Sequence, residues 1–409
     1  MASINNHALR DKWVMMGTYE TIQIALSNPS RRGPHFVVAE AYVPDLLDGV
    51  SYVPSLATQA RLAIAGEAVA AASARAAASP VEIAQMAGLL ARSEGIGSST
   101  IEGYHASLEK VIVESAMDPR PHTTTTAGII RDGIEAITFA LESLGDPSEP
   151  VTAEGIAAVQ RRLLANQNPS LRGYRRVYVQ IGGDPREPAS AHFIPPPHGH
   201  VSRLVEDLCA YVNRDDDLHP IARAAIAHAQ FETIHPFPDG NGRTGRALLQ
   251  AMLRREGLMR GVVLPISTAI SRSPEARDRY IDALNQARRE PPNVDALVEA
   301  FADFTSESAA LIMALVEATE RSLADLRRAV AEAFRSDSVA HEIVGLLVSK
   351  VGVTAAGVAA ATGVANQNAR TALEAMQERG LVDSRAGGRS GRVYFAPAIL
   401  EAVAAAGGA

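Results

Sequence analysis

The residues best able to do chemistry lie in one twelve-residue stretch, His235-Pro236-Phe237-Pro238-Asp239-Gly240-Asn241-Gly242-Arg243-Thr244-Gly245-Arg246. Pro236 and Pro238 prevent a regular helix across 235–239, so this is a loop. It joins an apolar helical run, Ile226 to Ile234, to another, Thr244 to Arg255. Gly240 and Gly242 flank Asn241 and let backbone N–H groups converge on an anion. The next helix begins at once, so its N-terminus faces the same anion. Arg243 and Arg246 are three apart and share a face of its first turn. Cations are disfavoured at that end of a helix, and two of them make sense around a polyanionic ligand. Asp239 is the only carboxylate in the loop. Beside phosphates it would hold Mg²⁺, which takes one or two protein carboxylates plus phosphate oxygens. His235 can accept a proton near neutral pH. Taken singly, these features are ordinary: a histidine before proline is commonly structural, and Gly-Asn-Gly is a common turn. Together they point to nucleotidyl or phosphoryl transfer from a nucleoside triphosphate.

The stretch His235 to Arg246 matches without departure the HxFx(D/E)GNGRxxR signature, and the sequence here resembles the Fic (Fic/Doc) family. Leu171-Arg172-Gly173-Tyr174-Arg175 and Phe193-Ile194-Pro195-Pro196-Pro197 look like the strand-and-flap region upstream of that family's active site. The likeness covers roughly residues 80–270. It implies a helical domain that transfers AMP from ATP to a protein hydroxyl. On that resemblance His235 would deprotonate the incoming Ser, Thr or Tyr, and Phe237 would pack beneath the loop. Asp239 would bind Mg²⁺ bridging the α- and β-phosphates. Gly240, Asn241 and Gly242 would hold the α-phosphate, Asn241 with its side chain as well as the backbone amides. Arg243 and Arg246 would grip the β- and γ-phosphates. Electrostatic positioning would then dominate catalysis.

Ser98-Ser99-Thr100-Ile101-Glu102-Gly103 fits the family's inhibitory motif (S/T)xxxE(G/N), with Ser98, Glu102 and Gly103 as its fixed positions. The resemblance implies that Glu102 pairs with Arg246 and blocks the productive γ-phosphate pose, as in members with an N-terminal inhibitory helix. A carboxylate and a phosphate compete for one guanidinium fork. The plainer reading is a capping box, Ser99-x-x-Glu102, opening the next helix. Arg176 to Ile181 and Ala191 to Ile194 predict a β-hairpin flap. Its Phe193, Ile194 and Pro195 would dock a target segment as an added strand. His198 and His200 lack a third ligand nearby and read as a solvated loop.

These residues need a body to position them. The chain has 409 residues, 47% hydrophobic and 21% charged, which excludes wholesale disorder and a collagen-like chain. Thirty-nine Lys and Arg against 46 Asp and Glu give −7, so it is no bulk polyanion binder. Cys209 is the single cysteine and reads as a core residue; no intrachain disulfide or cysteine zinc site can form. Trp13 is the single tryptophan. No basic region followed by an apolar run opens the sequence. The best apolar stretch, Leu62 to Ala78, is broken by Glu67 and Arg75. A soluble, cytoplasmic protein with no membrane partner is expected.

Abundant alanine and 3.6-residue periodicity predict a mainly α fold. We expect an N-terminal segment over 1–80 packing on the core, a Fic catalytic domain over 81–270, and a helical connector over 271–335. A winged helix-turn-helix follows over 336–400, then a flexible tail over 401–409. Asn28 to Pro34 reads as a loop and Tyr42 to Leu47 as a docked extended segment. In the winged helix, Asn366, Gln367, Asn368 and Arg370 open the recognition helix, where Asn and Gln suit adenine and Arg suits guanine. Arg385, Arg389 and Arg392 of the wing suit phosphates. From 366 to 395, arginines 370, 379, 385, 389 and 392 face acids 374, 378 and 383. That modest balance leaves DNA contact and protein docking both open. The overall expectation is an autoinhibited, Mg²⁺-dependent protein adenylyltransferase acting on an unknown target protein or itself. The rivals are a transcription regulator with a nucleotide-sensing core, a de-AMPylase, and a transferase using UTP, GTP or a phosphocholine-bearing nucleotide. The family often forms homodimers.

Overall fold

The computed structural model describes residues 17–26, 35–117, 125–184, 187–259, 261–387 and 391–407. Trp13, the whole Asn28–Pro34 loop and Arg389 lie outside them.

A long antiparallel hairpin, β1 (Gly17–Leu26) and β2 (His35–Pro44), pairs in register from Gly17 with Pro44 to Leu26 with His35. Helices α1 (Leu56–Ala77), α2 (Ile83–Ile101), α3 (Leu108–Ser115), α4 (Thr126–Ser143) and α5 (Ala153–Leu163) follow. Then come α6 (Val201–Val212), α7 (Pro220–Ile234), α8 (Asn241–Arg255), α9 (Ile266–Ser271), α10 (Pro274–Arg288) and α11 (Val294–Ala333). The C-terminal body runs α12 (Ala340–Lys350), β3 (Gly352–Thr354), α13 (Ala355–Thr362), α14 (Asn366–Glu378), β4 (Asp383–Ala386), β5 (Arg392–Phe395) and α15 (Pro397–Gly407). Its sheet has the order β3-β5-β4 and is antiparallel throughout. No helix among the described residues is long and apolar enough to cross a membrane.

The core centres on α7. All but the first of its residues are buried, so it is covered on every side, as a central bundle helix must be. Helix α11 is the long spine. It packs against α1, α7, α9, α10, α12 and α15. Small residues at helical spacing on α1 (Ala65, Ala72, Ala76, with Leu62 and Val69) face it and let the axes approach closely. The expected connector is therefore part of the core. Within the stretch expected as a connector, Val294–Ala333 form one helix, along which α1 packs.

Three more expectations change. Helix α2 runs through Ser99 to Ile101, and Glu102 is its C-cap. Ser99 is buried inside the helix, and Ser107 caps α3 instead, so no capping box forms at Ser99-x-x-Glu102. The flap hairpin reduces to one bridge, Ile181 with Phe193. Gly182 and Gly183 take positive φ, a short 3₁₀ turn occupies Pro188–Ser190, and Pro195 to Pro197 have no N–H to pair. The expected flexible tail is helical through Gly407, with Ala402 and Val403 buried.

Helix α2 is held from two sides. Toward the core, Gly95 and Gly97 admit neighbours where a Cβ would meet Ile134 at 2.4 Å and the Thr268 backbone at 2.5 Å. Buried Glu94 accepts from the Ser267 N–H and hydroxyl at the start of α9. Toward the C-terminal body, Gln85 and Arg92 donate to the carbonyls of Gly345 and Lys350.

Candidate active site

The loop 235–240 begins where α7 stops. His235 caps that helix in the left-handed region, φ 47°, an uncommon place for a residue with a Cβ. Pro236 disfavours a right-handed helical conformation before it. Arg175 then fixes the turn. Its side chain donates to the carbonyls of Ile234, His235 and Pro196, and its N–H donates to the Pro236 carbonyl. Arg175 is buried, and burial lowers its pKa to about 10. The sequence marks this arginine only as part of a flanking segment; its role as a clamp between loop and flap appears in three dimensions.

Phe237 is fully buried beneath the loop, stacked on Tyr174 at 5.0 Å between ring centroids. Asn241 Oδ1 accepts from the Phe237 N–H, and Asn241 Nδ2 donates to the Phe237 carbonyl, both at 2.9 Å. The amide expected to touch a phosphate thus braces the loop, leaving the backbone of Asn241 to face the anion. Gln160 adds a second brace, donating to the Asp239 and Leu171 carbonyls and accepting from the Gly173 N–H. Because Phe237 fills the space under the loop, Phe237→Ala should cost about 3–5 kcal/mol of stability. A chemical-denaturation midpoint unchanged by the substitution would refute that.

Gly240 precedes α8 with φ 80°, and no side chain caps the helix. The first N–H groups of α8 thus have no intrahelical partner and point into the loop. Arg243 is buried, with its Cζ 5.0 Å from the Tyr104 ring centroid. Its Nε and Nη1 have no hydrogen-bond partner. Such donors are costly to leave unsatisfied, and an anionic ligand satisfies them. Asp239 is partly exposed. Its Oδ1 accepts from the Gly240 N–H at 2.7 Å, and its Oδ2 lies 3.9 Å from Arg243 Nη2. Among the described residues no group of three or more His, Cys, Asp or Glu is placed to hold a metal ion. A cation here would have one protein carboxylate, Asp239, and would need ligand oxygens to complete its shell, a donor set that fits Mg²⁺ on a polyphosphate.

Arg246 is buried beside this nest. Nε donates to Ser98 Oγ at 2.9 Å, and Nη2 donates to the Ser98 carbonyl and to Glu102 Oε1, each at 2.8 Å. Burial pushes the Glu102 carboxyl up, but Arg246, with Arg243 and His235 adding to it, outweighs burial and holds it below the ordinary value. Gly103 follows with φ 83°. Gly242 has a further reason to be glycine: a Cβ there would lie 2.1 Å from Glu102 Oε1 and 2.9 Å from Arg246 Nη1.

The His235 imidazole is partly exposed, about one fifth of its side-chain area. Burial, then Arg175, push its pKa down to about 4, against the pull of Glu102. It is therefore neutral at physiological pH. Nδ1 is buried and faces Glu232, with Oε2 4.0 Å away. That leaves Nε2 as the nitrogen able to meet a proton donor. Burial raises the Glu232 carboxyl to about 7, and Gly245 makes room for it, since a Cβ would sit 2.4 Å from Oε1.

The flap is closed on itself. Phe193 pairs with Ile181, and the Ile194 carbonyl accepts from the Tyr42 N–H of β2 at 3.0 Å. Of the backbone groups expected to meet a target strand at Phe193, Ile194 and Pro195, the Ile194 carbonyl is thus bound within the chain. His200 lies 2.9 Å from Glu20, consistent with a surface contact. In the C-terminal body, Asn366, Gln367, Asn368 and Arg370 are exposed on α14. Arg385 is paired with Glu109 of α3 at 2.6 Å, Arg392 donates to Ser384, and Arg379 lies over Phe334.

Residues 150–253 match the model of the Fic/DOC family. Over 198 residues the chain is 28% identical to a probable protein adenylyltransferase of Aquifex aeolicus, covering 48% of this chain and 55% of that protein. Over 202 residues it is 32% identical to a protein adenylyltransferase Fic of Nematostella vectensis, covering 46% and 42%. The chain thus spans about half the length of the curated relatives it matches. A crystal structure of a Fic family protein from Desulfovibrio desulfuricans G20 superposes with a TM-score of 0.52 at 20% identity, over 84% of this chain and 97% of that one. That is a likeness of fold.

Proposed function

We propose, taking residues 150–253 as a Fic/DOC domain, that this protein is an autoinhibited protein adenylyltransferase. It would move AMP from ATP to a Ser, Thr or Tyr hydroxyl of a target protein or of itself. The observation that carries the reading is the uncapped start of α8 beside a buried Arg243 with two unsatisfied donors, at the lip of which sits a neutral, partly exposed imidazole. The choice of ATP follows the adenylyltransferase names of the relatives; the loop itself grips phosphates.

In the transfer, the acceptor oxygen attacks the α-phosphorus, its proton passes to His235 Nε2, and the bond to the β-phosphate oxygen breaks to release pyrophosphate. The α8 N-terminal amides meet the α-phosphate, where charge builds. Arg243 and Arg246 neutralise the departing pyrophosphate. Mg²⁺, held by Asp239 and phosphate oxygens, would neutralise charge on the α- and β-phosphates. Glu102 occupies the face of Arg246 that a γ-phosphate needs, so the resting protein is braked. Labelled ATP with Mg²⁺, given to wild type, Glu102→Gly and His235→Ala, tests the reading: labelling absent from all three proteins would end it.

We read the C-terminal body as a winged helix, from helices α12, α13 and α14 and the β3-β5-β4 sheet. The exposed Asn366, Gln367, Asn368 and Arg370 favour duplex DNA as its ligand. Two of the wing arginines expected for phosphates, Arg385 and Arg392, have partners within the protein, so affinity should be modest and strongly salt-dependent. The full chain should shift duplex DNA at low salt, and Arg370→Ala should weaken the shift. No shift at low salt would remove this reading.

A further inference from the structure

With the Ile194 carbonyl already bound by the Tyr42 N–H of β2, backbone pairing at the flap has one acceptor fewer to offer an acceptor segment. Side chains around the flap then carry more of its recognition. The residue best placed is Arg288, at the end of α10 and outside residues 150–253. Its Cζ lies 4.0 Å from the centroid of the Phe193 ring. Nη2 donates to Asn285 Oδ1 of its own helix, and among the described residues no carboxylate lies within 4.0 Å to form an ion pair. A guanidinium carries five donors in a planar fork, so most of this one is open. The charged and titratable groups facing it are Glu232 from α7, Tyr42 from β2, Tyr19 from β1 and Tyr280 from α10. Its charge reaches the catalytic end of the cleft, where it helps lower the His235 pKa. The phosphates already have cations of their own in Arg243 and Arg246 on α8. Arg288 comes from a different helix and touches the flap.

Resting on the adenylyl-transfer reading above, we propose that Arg288 is a specificity-determining residue that binds an acidic side chain flanking the acceptor hydroxyl. The protein then selects acidic acceptor segments. A carboxylate matches the guanidinium fork in shape and charge, and a segment passing over Phe193 presents such a group to Arg288 as its hydroxyl reaches His235.

The test uses the full chain and matched synthetic peptides around one Ser, Thr or Tyr, flanked by Asp and Glu or by Asn and Gln. In fluorescence anisotropy the acidic peptide should bind about tenfold tighter, the effect of one charge-assisted hydrogen bond. Arg288→Gln should erase that preference, Arg288→Lys should restore part of it, and Arg288→Glu should turn it toward lysine-flanked peptides. In the Glu102→Gly background, Arg288→Gln should leave the KM for ATP unchanged. Equal binding of acidic and amide peptides, an equal loss for both in Arg288→Gln, or a raised KM for ATP would overturn the proposal. If acidic peptides bind in an Arg288-dependent way while Glu102→Gly transfers no label, Arg288 stands and adenylyl transfer falls.

Discussion

Glu102→Gly should raise nucleotide transfer by about ten- to a hundredfold, the span set by removing one charge-assisted hydrogen bond that competes with a phosphate. The glutamate takes Arg246 Nη2, while Ser98 takes Nε and shares Nη2. With Glu102 gone, Ser98 still aims the guanidinium, and one of its donors is free for ATP. Glycine suits the vacated position, a helix C-cap followed by Gly103 in the left-handed region. The substitution also leaves a buried cation without its nearest anion, so the mutant should melt earlier than wild type in the absence of nucleotide. Saturating ATP should stabilise the mutant more than the wild type. Two measurements check this: label incorporation from ATP, and thermal shift with and without nucleotide. Equal labelling by both proteins would refute the brake.

Removing the base should act in the opposite direction. In the Glu102→Gly background, His235→Ala should lower transfer by about 10²- to 10⁴-fold, the usual worth of a positioned general base, with nucleotide binding retained. Since residue 235 sits at positive φ, His235→Asn is the better-tolerated companion and should lose activity similarly. The pH profile follows from the burial that, with Arg175, pushes the imidazole down to about 4. A lowered pKa keeps the proton-accepting form populated to lower pH, so kcat/KM should be flat through neutrality and fall only as pH drops well below 6.5. An acid limb centred at or above 6.5 would contradict the burial argument. Retained activity in both His235 variants would remove the base role.

The loop 235–246 was legible in the sequence because its physics is local. Two prolines bar a helix, Gly240 permits positive φ, and three residues separate the arginines; each constraint acts within a few positions. Periodicity likewise foretold the mainly helical fold. What could not be read is what sits across space. Gly242 reads as anion-nest flexibility, yet it is also needed because Glu102, far away along the chain, comes within 2.1 Å of where its Cβ would be. Ser99-x-x-Glu102 satisfies the pattern of a capping box, but burial of Ser99 against α4 carries α2 past it. Asn241 reads as a phosphate ligand, and only the path of the Phe237 backbone turns its amide inward.

The flap and the β4-β5 hairpin teach the same lesson. Extended residues at 190–196 look like an open edge until β2 donates the Tyr42 N–H to Ile194. Arg385 looks free until Glu109 reaches it. Sequence alone brought the candidate groups together in one stretch, since that depends on residue types at short spacing. Tertiary structure decided which of those groups are still unpaired, because hydrogen bonds and ion pairs are spent on neighbours that chain order does not bring together. The Arg246 contacts, 144 and 148 residues apart along the chain, are the plainest case.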